Sequence, residues 1–371
     1  MMNQNEKEEV KSLWKKCFND SDEFIELYFS KRYTDEINMA IYEDGKVISA
    51  LQMIPYKISL RGETINASYI SGASTDPDYR NRGAMAKLLS DTHKKMYEED
   101  LLLSFLIPAE EWLIAYYSKF GYNSIFFSKY IEQQNKNLVV DTFLNIEISD
   151  TINENVYNYL SEKMLSITCA VQHSFEDFSV VMEDIKLAGG NIAVASRNET
   201  ICGVTFAVPV DDKVAIKAII ADSIEVRDSL FAKSMELFNA KTVIYRTFKG
   251  ENLSPYGMAR VINLDSLLSV WAKINPDRFM TFYVSDDKDI PQNNGLFVVD
   301  NGHSYHYADI VEAYESGEES VVNELTKLYG KLDDGSSTDL SPINKVEEYS
   351  INKVVKLLFN DLYPYMSLMM D

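Results

Sequence analysis

The sequence contains few of the residues that commonly build disulfide frameworks and metal sites. It has three cysteines, Cys17, Cys169 and Cys202, and four histidines among 371 residues. An odd number of widely spaced cysteines, with no Cys-x-x-Cys pair, indicates a reducing compartment and no disulfide framework. His303 and His306 form the one close histidine pair, and no further candidate ligand stands near them in the sequence. We therefore predict a surface hairpin at this pair and no metal site.

Positive charge is also scarce, since 36 Lys and Arg face 57 Asp and Glu and the formal net charge is −21. This balance argues against nucleic-acid binding and against attachment to an anionic membrane surface. It is compatible with a cationic substrate, although an acidic soluble surface explains the charge equally well. No apolar run approaches the ~18 residues of a membrane span. The segment Met1–Glu9 has no signal-peptide pattern, so we expect a cytoplasmic protein.

The most informative stretch runs from Tyr69 to Tyr122. A predicted strand ends near Thr75, and a turn then leads through Arg80-Asn81-Arg82-Gly83 into a helix. The apolar positions of that helix share one face: Met85, Leu88, Leu89, Thr92 and Met96. A second predicted strand, 101–107, ends at Pro108, and a short helix leads to Tyr117-Ser-Lys-Phe-Gly-Tyr122.

The segment from Arg80 to Gly83 has the properties of a pyrophosphate site. The first N–H groups of a helix are unpaired and carry partial positive charge, so anions bind there. Gly83 allows a close approach of the backbone, and Arg80 and Arg82 add charges that suit phosphate oxygens. The alternative is a solvated basic turn before an ordinary helix, because R-x-x-G alone is a weak signal.

Taken together, these segments resemble the acetyl-CoA core of the GNAT N-acetyltransferases. In that superfamily R/Q-x-x-G-x-G/A binds the CoA pyrophosphate, and a Tyr four residues before a Gly-aromatic pair faces the thioester sulfur. Arg80, Gly83 and Tyr117 match this pattern, whereas Met85 stands where most members have Gly or Ala. The longer pattern over Ser71–Gly83 is similar to the enhanced intracellular survival (Eis) type of aminoglycoside N-acetyltransferase, whose members also carry a bulky residue at that position.

The resemblance implies acetyl-CoA as co-substrate, no metal, and a homo-oligomer of six chains or fewer. Backbone N–H groups at Ala73, Ser74 and Thr75 would polarise the thioester carbonyl. The implied phosphate-binding residues are Arg80, Asn81, Arg82, Gly83, Ala84, Met85 and Ala86. Tyr117 would protonate the leaving thiolate, and the terminal carboxylate of Asp371 would accept the proton of an amine that attacks directly.

The pattern of residues 39–107 is followed by a second one in the same order: hairpin, strand, helix, strand. The first hairpin turns at Asp44-Gly45, a pair typical of tight β-turns. In the second unit the helix is entered through Asp222-Ser223-Ile224-Glu225, without glycine. Acidic residues at a helix N-terminus repel phosphate, so this unit should not bind CoA. Two unrelated α+β segments would give a similar pattern.

We also predict helices over 155–190, which end at Ala188-Gly189-Gly190.

After residue 256 the sequence changes character and is similar to the sterol-carrier-like third domain of the same type of enzyme. A helix through Trp271, strands at 279–284 and 296–299, and helices near 319–330 and 351–360 are expected around a polar loop at 333–342. The predicted fold is α+β with mixed sheets: a catalytic GNAT domain at 1–145, a degenerate GNAT-like domain at 146–256, and a sterol-carrier-like domain at 257–371.

The segment from Tyr363 to Asp371 is too apolar for a frayed terminus. It either docks on the core or carries its carboxylate into the active site, and the resemblance favours the second. The predicted function is acetylation of a primary amine, either an aminoglycoside or another cationic amine. The alternatives are a protein-lysine or polyamine acetyltransferase, and an apolar-ligand-binding protein with a vestigial acetyltransferase core.

Overall fold

A mixed β-sheet dominates the computed structural model, which describes residues 4–329 and 346–370. Within these residues twelve strands form one large sheet and three form a smaller antiparallel sheet. The predicted α+β class with mixed sheets is confirmed. No helix of the described residues is long and apolar enough to cross a membrane.

The first region contains the strand, helix, strand and short helix that were predicted between Tyr69 and Tyr122. Its elements are α1 (Gln4–Cys17), α2 (Asp22–Lys31), β1 (Asn38–Glu43), β2 (Lys46–Leu60), β3 (Glu63–Thr75), α3 (Ala84–Glu98), β4 (Leu103–Leu106), α4 (Glu111–Ser118) and β5 (Asn123–Gln134). Asp44 and Gly45 both have positive φ, 50° and 76°, and form the predicted tight turn between β1 and β2. A single strand, β2, covers the two apolar runs on either side of Pro55.

The second region repeats the predicted order. Its elements are β6 (Asn145–Ser149), α5 (Glu154–Leu165), β7 (Cys169–Gln172), α6 (Phe175–Leu187), β8 (Asn191–Arg197), β9 (Thr200–Val210), β10 (Lys213–Ala221), α7 (Ile224–Leu237) and β11 (Thr242–Thr247). The prediction of helices throughout 155–190 is wrong in its middle, where β7 pairs antiparallel with β2. A run of four residues is too short to show a strand period.

The last part of the chain contributes to both sheets. Its elements are β12 (Ser254–Val261), α8 (Leu264–Ile274), β13 (Met280–Val284), β14 (Gly295–Asp300), β15 (His303–Tyr307), α9 (Ile310–Glu315), α10 (Glu319–Tyr329) and α11 (Ile351–Phe359). The hairpin predicted at His303–His306 is confirmed, since β15 pairs with β14. The loop predicted at 333–342 lies outside the described residues.

The strand order of the large sheet is β1-β2-β3-β4-β12-β5-β11-β10-β9-β8-β6, with β7 beside β2. In the first half β1, β2 and β3 are antiparallel and β4 is parallel to β3. In the second half β8, β9 and β10 are antiparallel and β11 is parallel to β10. The predicted internal repeat is therefore present in the topology. Strand β12 spans the predicted boundary between the second and third domains, at residues 256 and 257, and lies between β4 and β5.

Two separate apolar cores cover the two faces of the first half-sheet. Leu88 and Met96 of α3 and Tyr117 of α4 pack with Met53 and Leu106 on one face. On the other face α1, α2, α8 and α11 pack on a second set of sheet residues: Tyr56, Tyr69, Phe105 and Phe126. Each fully buried large side chain contributes roughly 1.5–3 kcal/mol. Groups on opposite faces can therefore meet only where neighbouring strands separate.

The end of the described chain is docked between the two halves of the sheet. The Tyr365 N–H donates to the Cys169 carbonyl (2.9 Å), and the Val171 N–H donates to the Tyr365 carbonyl (3.0 Å). Met366 and Met369 are 0% and 3% exposed. An ordered tail agrees with its apolar composition. Asp371 lies outside the described residues.

Candidate active site

Strands β3 and β4 pair over only three residues and then separate. The parallel register joins Ala67–Tyr69 to Leu103–Phe105, whereas β3 continues to Thr75. Beyond Tyr69, no described strand pairs with the β4-facing edge of β3. An extended ligand that enters between the strands can therefore pair with the backbone of this edge.

A β-bulge lies in the unpaired part of β3. The register with β2 jumps from Ser71 to Ser74, so that Gly72 and Ala73 of β3 lie opposite the single residue Leu51 of β2. Gly72 has φ 59°, and a Cβ there would overlap the ring of Trp14. Bulges redirect backbone groups and are common beside active sites. The bulge could not be predicted from the sequence, because local residue pattern does not show that Gly72 lies against Trp14 of α1.

The loop before α3 leaves the helix N-terminus open. Gly83 is the N-cap residue, with φ 85°, and no side chain of the described residues caps the helix. No described atom outside the neighbouring residues lies within 4 Å of a Cβ built on Gly83. Asn81 also has positive φ, 63°. The predicted phosphate-binding residues 81–83 are exposed and 84–86 are half-buried, which leaves the first N–H groups of α3 accessible to an anion.

The two arginines of this loop are placed differently. Arg80 Nε donates to the Thr75 carbonyl at 3.1 Å, so its guanidinium braces the end of β3. Arg82 Nη2 donates to the Asp78 carbonyl at 2.8 Å, and the guanidinium lies 5.0 Å from the centroid of the Tyr79 ring. Arg82 is exposed and supplies positive charge beside the α3 terminus.

Tyr117 lies in the last turn of α4 and is 8% exposed. Its ring contacts those of Tyr116 and Tyr122, with centroids 5.5 and 5.8 Å away. No described residue forms a hydrogen bond with its hydroxyl. Burial, assisted by Tyr116, raises the pKa of Tyr117 to about 12. At neutral pH the hydroxyl is therefore protonated and can donate a hydrogen bond.

A cleft of about 360 Å³ opens where β4 ends. Pro108, Glu110 and Glu111 of the β4–α4 connection line one side, and Tyr256 and Gly257 of β12 line the other. Both glutamates are exposed and make this side of the cleft negatively charged. The cleft therefore offers a site for a cationic group beside the helix that carries Tyr117.

The docked tail approaches the end of β4 from the other face of the sheet. A Cβ on Gly257 would overlap the Met366 methyl group and would lie 3.2 Å from the carbonyl of Leu106, the last residue of β4. Met370 packs in the core of the second region. Tyr117 and the tail thus come from opposite faces. The predicted catalytic position of Asp371 is not described, so its role stays a prediction.

The corresponding helix of the second region, α7, is closed at its N-terminus. The Ser223 Oγ accepts a hydrogen bond from the Val226 N–H at 3.3 Å. Glu225 lies in the first turn, where the side chain of Ser223 and its own backbone N–H lower the pKa of its carboxyl. Asp228 accepts a hydrogen bond from the Val139 N–H (2.9 Å), so the β5–β6 connection covers the side of the helix.

Within the described ranges, no group of three or more His, Cys, Asp or Glu side chains is arranged to hold a metal ion.

A comparison with protein families matches residues 1–125 to the acetyltransferase (GNAT) domain. This segment contains the bulged strand, the open α3 terminus and Tyr117. The chain therefore contains a GNAT acetyltransferase domain in its N-terminal third. A search of curated proteins finds no match.

Solved structures with the same fold extend over most of the chain. A GCN5-related N-acetyltransferase from Anabaena variabilis has a TM-score of 0.69 at 17% identity, covering 98% of this chain and 97% of its own. A probable N-acyltransferase from Enterococcus faecalis V583 has a TM-score of 0.68 at 15% identity, covering 87% and 94%. Eis1 from Mycobacterium abscessus has a TM-score of 0.64 at 11% identity, covering 83% and 84%. At these identities the likeness concerns the fold alone.

Proposed function

We propose that this protein is an acetyl-CoA-dependent N-acetyltransferase that acetylates a primary amine by direct attack on the thioester. One observation carries the proposal: the separated strands β3 and β4, the open N-terminus of α3 and the buried Tyr117 lie together in the GNAT domain. Each of these features suits one part of the co-substrate.

The phosphates of CoA bind at the N-terminus of α3, over residues 81–86. Backbone N–H groups there and the charge of Arg82 neutralise the pyrophosphate. The pantetheine arm then runs between β3 and β4. The thioester carbonyl meets N–H groups at Ala73, Ser74 and Thr75, which stabilise the oxyanion that develops when the amine attacks.

Tyr117 acts on the sulfur of CoA. An unperturbed thiol has a pKa of about 8.5, about 3.5 units below the pKa of about 12 for Tyr117, so complete proton transfer from the phenol is unfavourable. Donation of a hydrogen bond to the developing thiolate is favourable and strengthens as charge accumulates. We therefore assign Tyr117 as a hydrogen-bond donor to the leaving group.

The terminal carboxylate of Asp371 is the proposed proton acceptor for the amine. The docked tail supports this role because Met366 lies beside the end of β4. An α-carboxyl group has an unperturbed pKa of ~3.3–3.7 and needs desolvation to act as a base. Glu110 and Glu111, which line the adjacent cleft, are the alternative acceptors.

The acceptor substrate is proposed to be a small cationic amine. Two carboxylates line a cleft of about 360 Å³, a volume within the range of small-molecule sites. Aminoglycosides and polyamines both carry several ammonium groups that suit such a cleft. A lysine side chain presented by a protein is the third candidate class.

The test is an acetyl-transfer assay with a panel of amines. Purified protein is incubated with acetyl-CoA and with aminoglycosides, polyamines or lysine peptides, and the released thiol is measured. We expect amine-dependent thiol release that is strongly reduced in Gly83→Asp and unchanged in Glu225→Gln. Acetyl-CoA binding without thiol release for any amine would contradict the proposed reaction.

A further inference from the structure

A chain of hydrogen bonds lies inside the protein behind Tyr117. The Asp289 Oδ2 lies 2.8 Å from His93 Nδ1, and His93 Nε2 lies 3.1 Å from the Tyr122 hydroxyl. The Tyr122 hydroxyl lies 2.7 Å from Ser104 Oγ. His93, Tyr122 and Ser104 are each 0% exposed. Buried polar networks of this kind hold side chains in single positions when all members are paired.

The protonation states fix the direction of each hydrogen bond. Burial lowers the pKa of His93 to about 4, so the ring is neutral at pH 7. Burial alone would raise the pKa of Asp289, but hydrogen bonds from His93 and Ser90 lower it to about 2. The ionised Asp289 accepts from His93 Nδ1–H. His93 Nε2 then accepts from the Tyr122 hydroxyl, whose oxygen accepts from Ser104.

The carboxylate of this chain comes from a distant part of the sequence. Asp289 lies in the connection between β13 and β14, 196 positions after His93. The same connection supplies Asp287, which pairs with the buried Arg260 at 2.6 Å. Arg260 Nη1 in turn donates to the Phe120 carbonyl at 2.8 Å. The C-terminal part of the chain therefore holds both α3 and the turn that follows α4.

Tyr117 is attached directly to the elements held in this way. The rings of Tyr117 and Tyr122 meet edge to face, with centroids 5.8 Å apart and planes at 67°. The Phe120 N–H donates to the Tyr117 carbonyl at 2.9 Å. The position of the Tyr117 ring thus depends on the ring of Tyr122. The hydroxyl of Tyr122 is in turn fixed by hydrogen bonds with His93 and Ser104.

We propose that Asp289 and His93 are positioning residues for acetyl transfer, which hold Tyr122 and through it set the place of the Tyr117 hydroxyl. The inference rests on the proposed role of Tyr117 as donor to the leaving thiolate. It gives the C-terminal part of the chain a function at the CoA side of the site, on the face opposite the tail. A small displacement of a catalytic group lowers the rate of a reaction strongly.

The test is a double-mutant cycle with Tyr117→Phe and Asp289→Asn. In Asp289→Asn the amide can donate to His93 Nδ1, which reverses the tautomer and removes the acceptor for the Tyr122 hydroxyl. We expect kcat to fall about tenfold, with KM for acetyl-CoA almost unchanged because the phosphate loop is separate. In the Tyr117→Phe background, Asp289→Asn should cause no further loss, since both changes remove the same interaction.

A neighbouring carboxylate provides the matched control. Asp286 lies in the same connection and accepts from the Ile351 N–H at 2.9 Å, outside the chain to Tyr122. Asp286→Asn should keep kcat. If Asp286→Asn lowers kcat as much as Asp289→Asn, or if the losses of Asp289→Asn and Tyr117→Phe simply add, the chain is structural and the inference is wrong.

The outcomes separate this inference from the proposed function. Full kcat in Tyr117→Phe would overturn the assignment of Tyr117 itself and the inference with it. A reduced kcat in Tyr117→Phe together with full kcat in Asp289→Asn would overturn the inference alone. Should Asp289→Asn fail to fold, Tyr122→Phe takes its place in the cycle, because it keeps the ring and removes the hydroxyl. The same absence of additivity is expected.

Discussion

The two halves of the large sheet share a strand order and differ at one helix terminus. In the first half α3 begins at Gly83 and no described side chain caps it. In the second half α7 begins at Ser223, whose hydroxyl accepts from the Val226 N–H, and Glu225 lies in the first turn. One helix end is open to an anion, and the other is occupied by its own residues.

The two halves show that the fold and the proposed binding site depend on different residues. Both halves bury the same kind of apolar helix face against the same kind of sheet, so the fold follows from the apolar pattern. The proposed phosphate site depends on a few turn residues that hardly contribute to either core. Function is thus a property of the site and not of the architecture.

The largest effect is expected when a negative charge is placed at the open N-terminus of α3. Gly83→Asp places a carboxylate at the proposed phosphate site and should weaken acetyl-CoA binding by about tenfold or more, which corresponds to ~1.4 kcal/mol. Gly83→Asn is the matched control: it has the same shape without the charge, and Asn tolerates positive φ. Calorimetry should show one CoA site per chain and a much smaller effect for Asn. Two sites per chain would contradict the difference between the halves.

The second prediction concerns the tail, which joins the two halves. Met366 packs with the core of the first half and Met370 with that of the second. A short C-terminal extension converts the α-carboxylate of Asp371 into an amide and displaces it, so kcat should fall sharply. Asp371→Asn keeps the α-carboxylate and should be much less harmful. An extended enzyme with full kcat and an unchanged pH–rate profile would exclude the terminal carboxylate as the base.

Local pattern was sufficient to predict much of the fold. The turn at Asp44-Gly45, the apolar face of α3 and the repeat in the second region all depend on neighbouring residues, and the structure contains each of them. The open N-terminus at Gly83 was also visible, because the glycine and the absence of acids are local features.

The features that could not be predicted from the sequence depend on long-range contacts. Strand β7 has four residues and exists through its pairing with β2. The place of β12 between β4 and β5 depends on partners more than a hundred positions away. The glycine of the bulge, Gly72, lies against the ring of Trp14, and the His93–Asp289 pair joins residues 196 positions apart. None of these partners is indicated by local periodicity or turn chemistry.

The pH dependence of stability should have one source in each half. Burial lowers the pKa of both His93 and His173 to about 4. Because these folded-state values lie below the unfolded value of about 6.5, the unfolded chain binds more protons between these limits. Stability is therefore fully present above pH ~6.5 and falls as the pH decreases towards 4. Asp289, with a pKa lowered to about 2, adds a further loss below pH ~4.

Two variants assign this loss to its sources. The unfolding free energy should fall less between pH 7 and 5 in His93→Gln than in the unmodified protein, because the buried His93 of the first half is gone. His173→Gln should have the same effect, because it removes the buried histidine that contacts the tail. His173 Nε2 donates to the Ser367 carbonyl at 2.9 Å, so its variant should also loosen the tail. Denaturant titrations at both pH values measure the effect. An unchanged pH dependence in both variants would show that other groups control acid unfolding.

The smallest effect is expected at the closed N-terminus of α7. Variants there test whether removing the cap and the acidic charge creates a second CoA site. Ser223→Ala removes the cap of α7 and should lower the free energy of unfolding by about 1 kcal/mol, without any change in acetyl-CoA affinity. Adding Glu225→Gln removes the acidic charge from the first turn. Even this double variant should bind one CoA per chain, because the hydrogen bond between Asp228 and the Val139 N–H keeps the β5–β6 connection over the helix. A second CoA site in the double variant would mean that the cap and the acid alone distinguish the two halves.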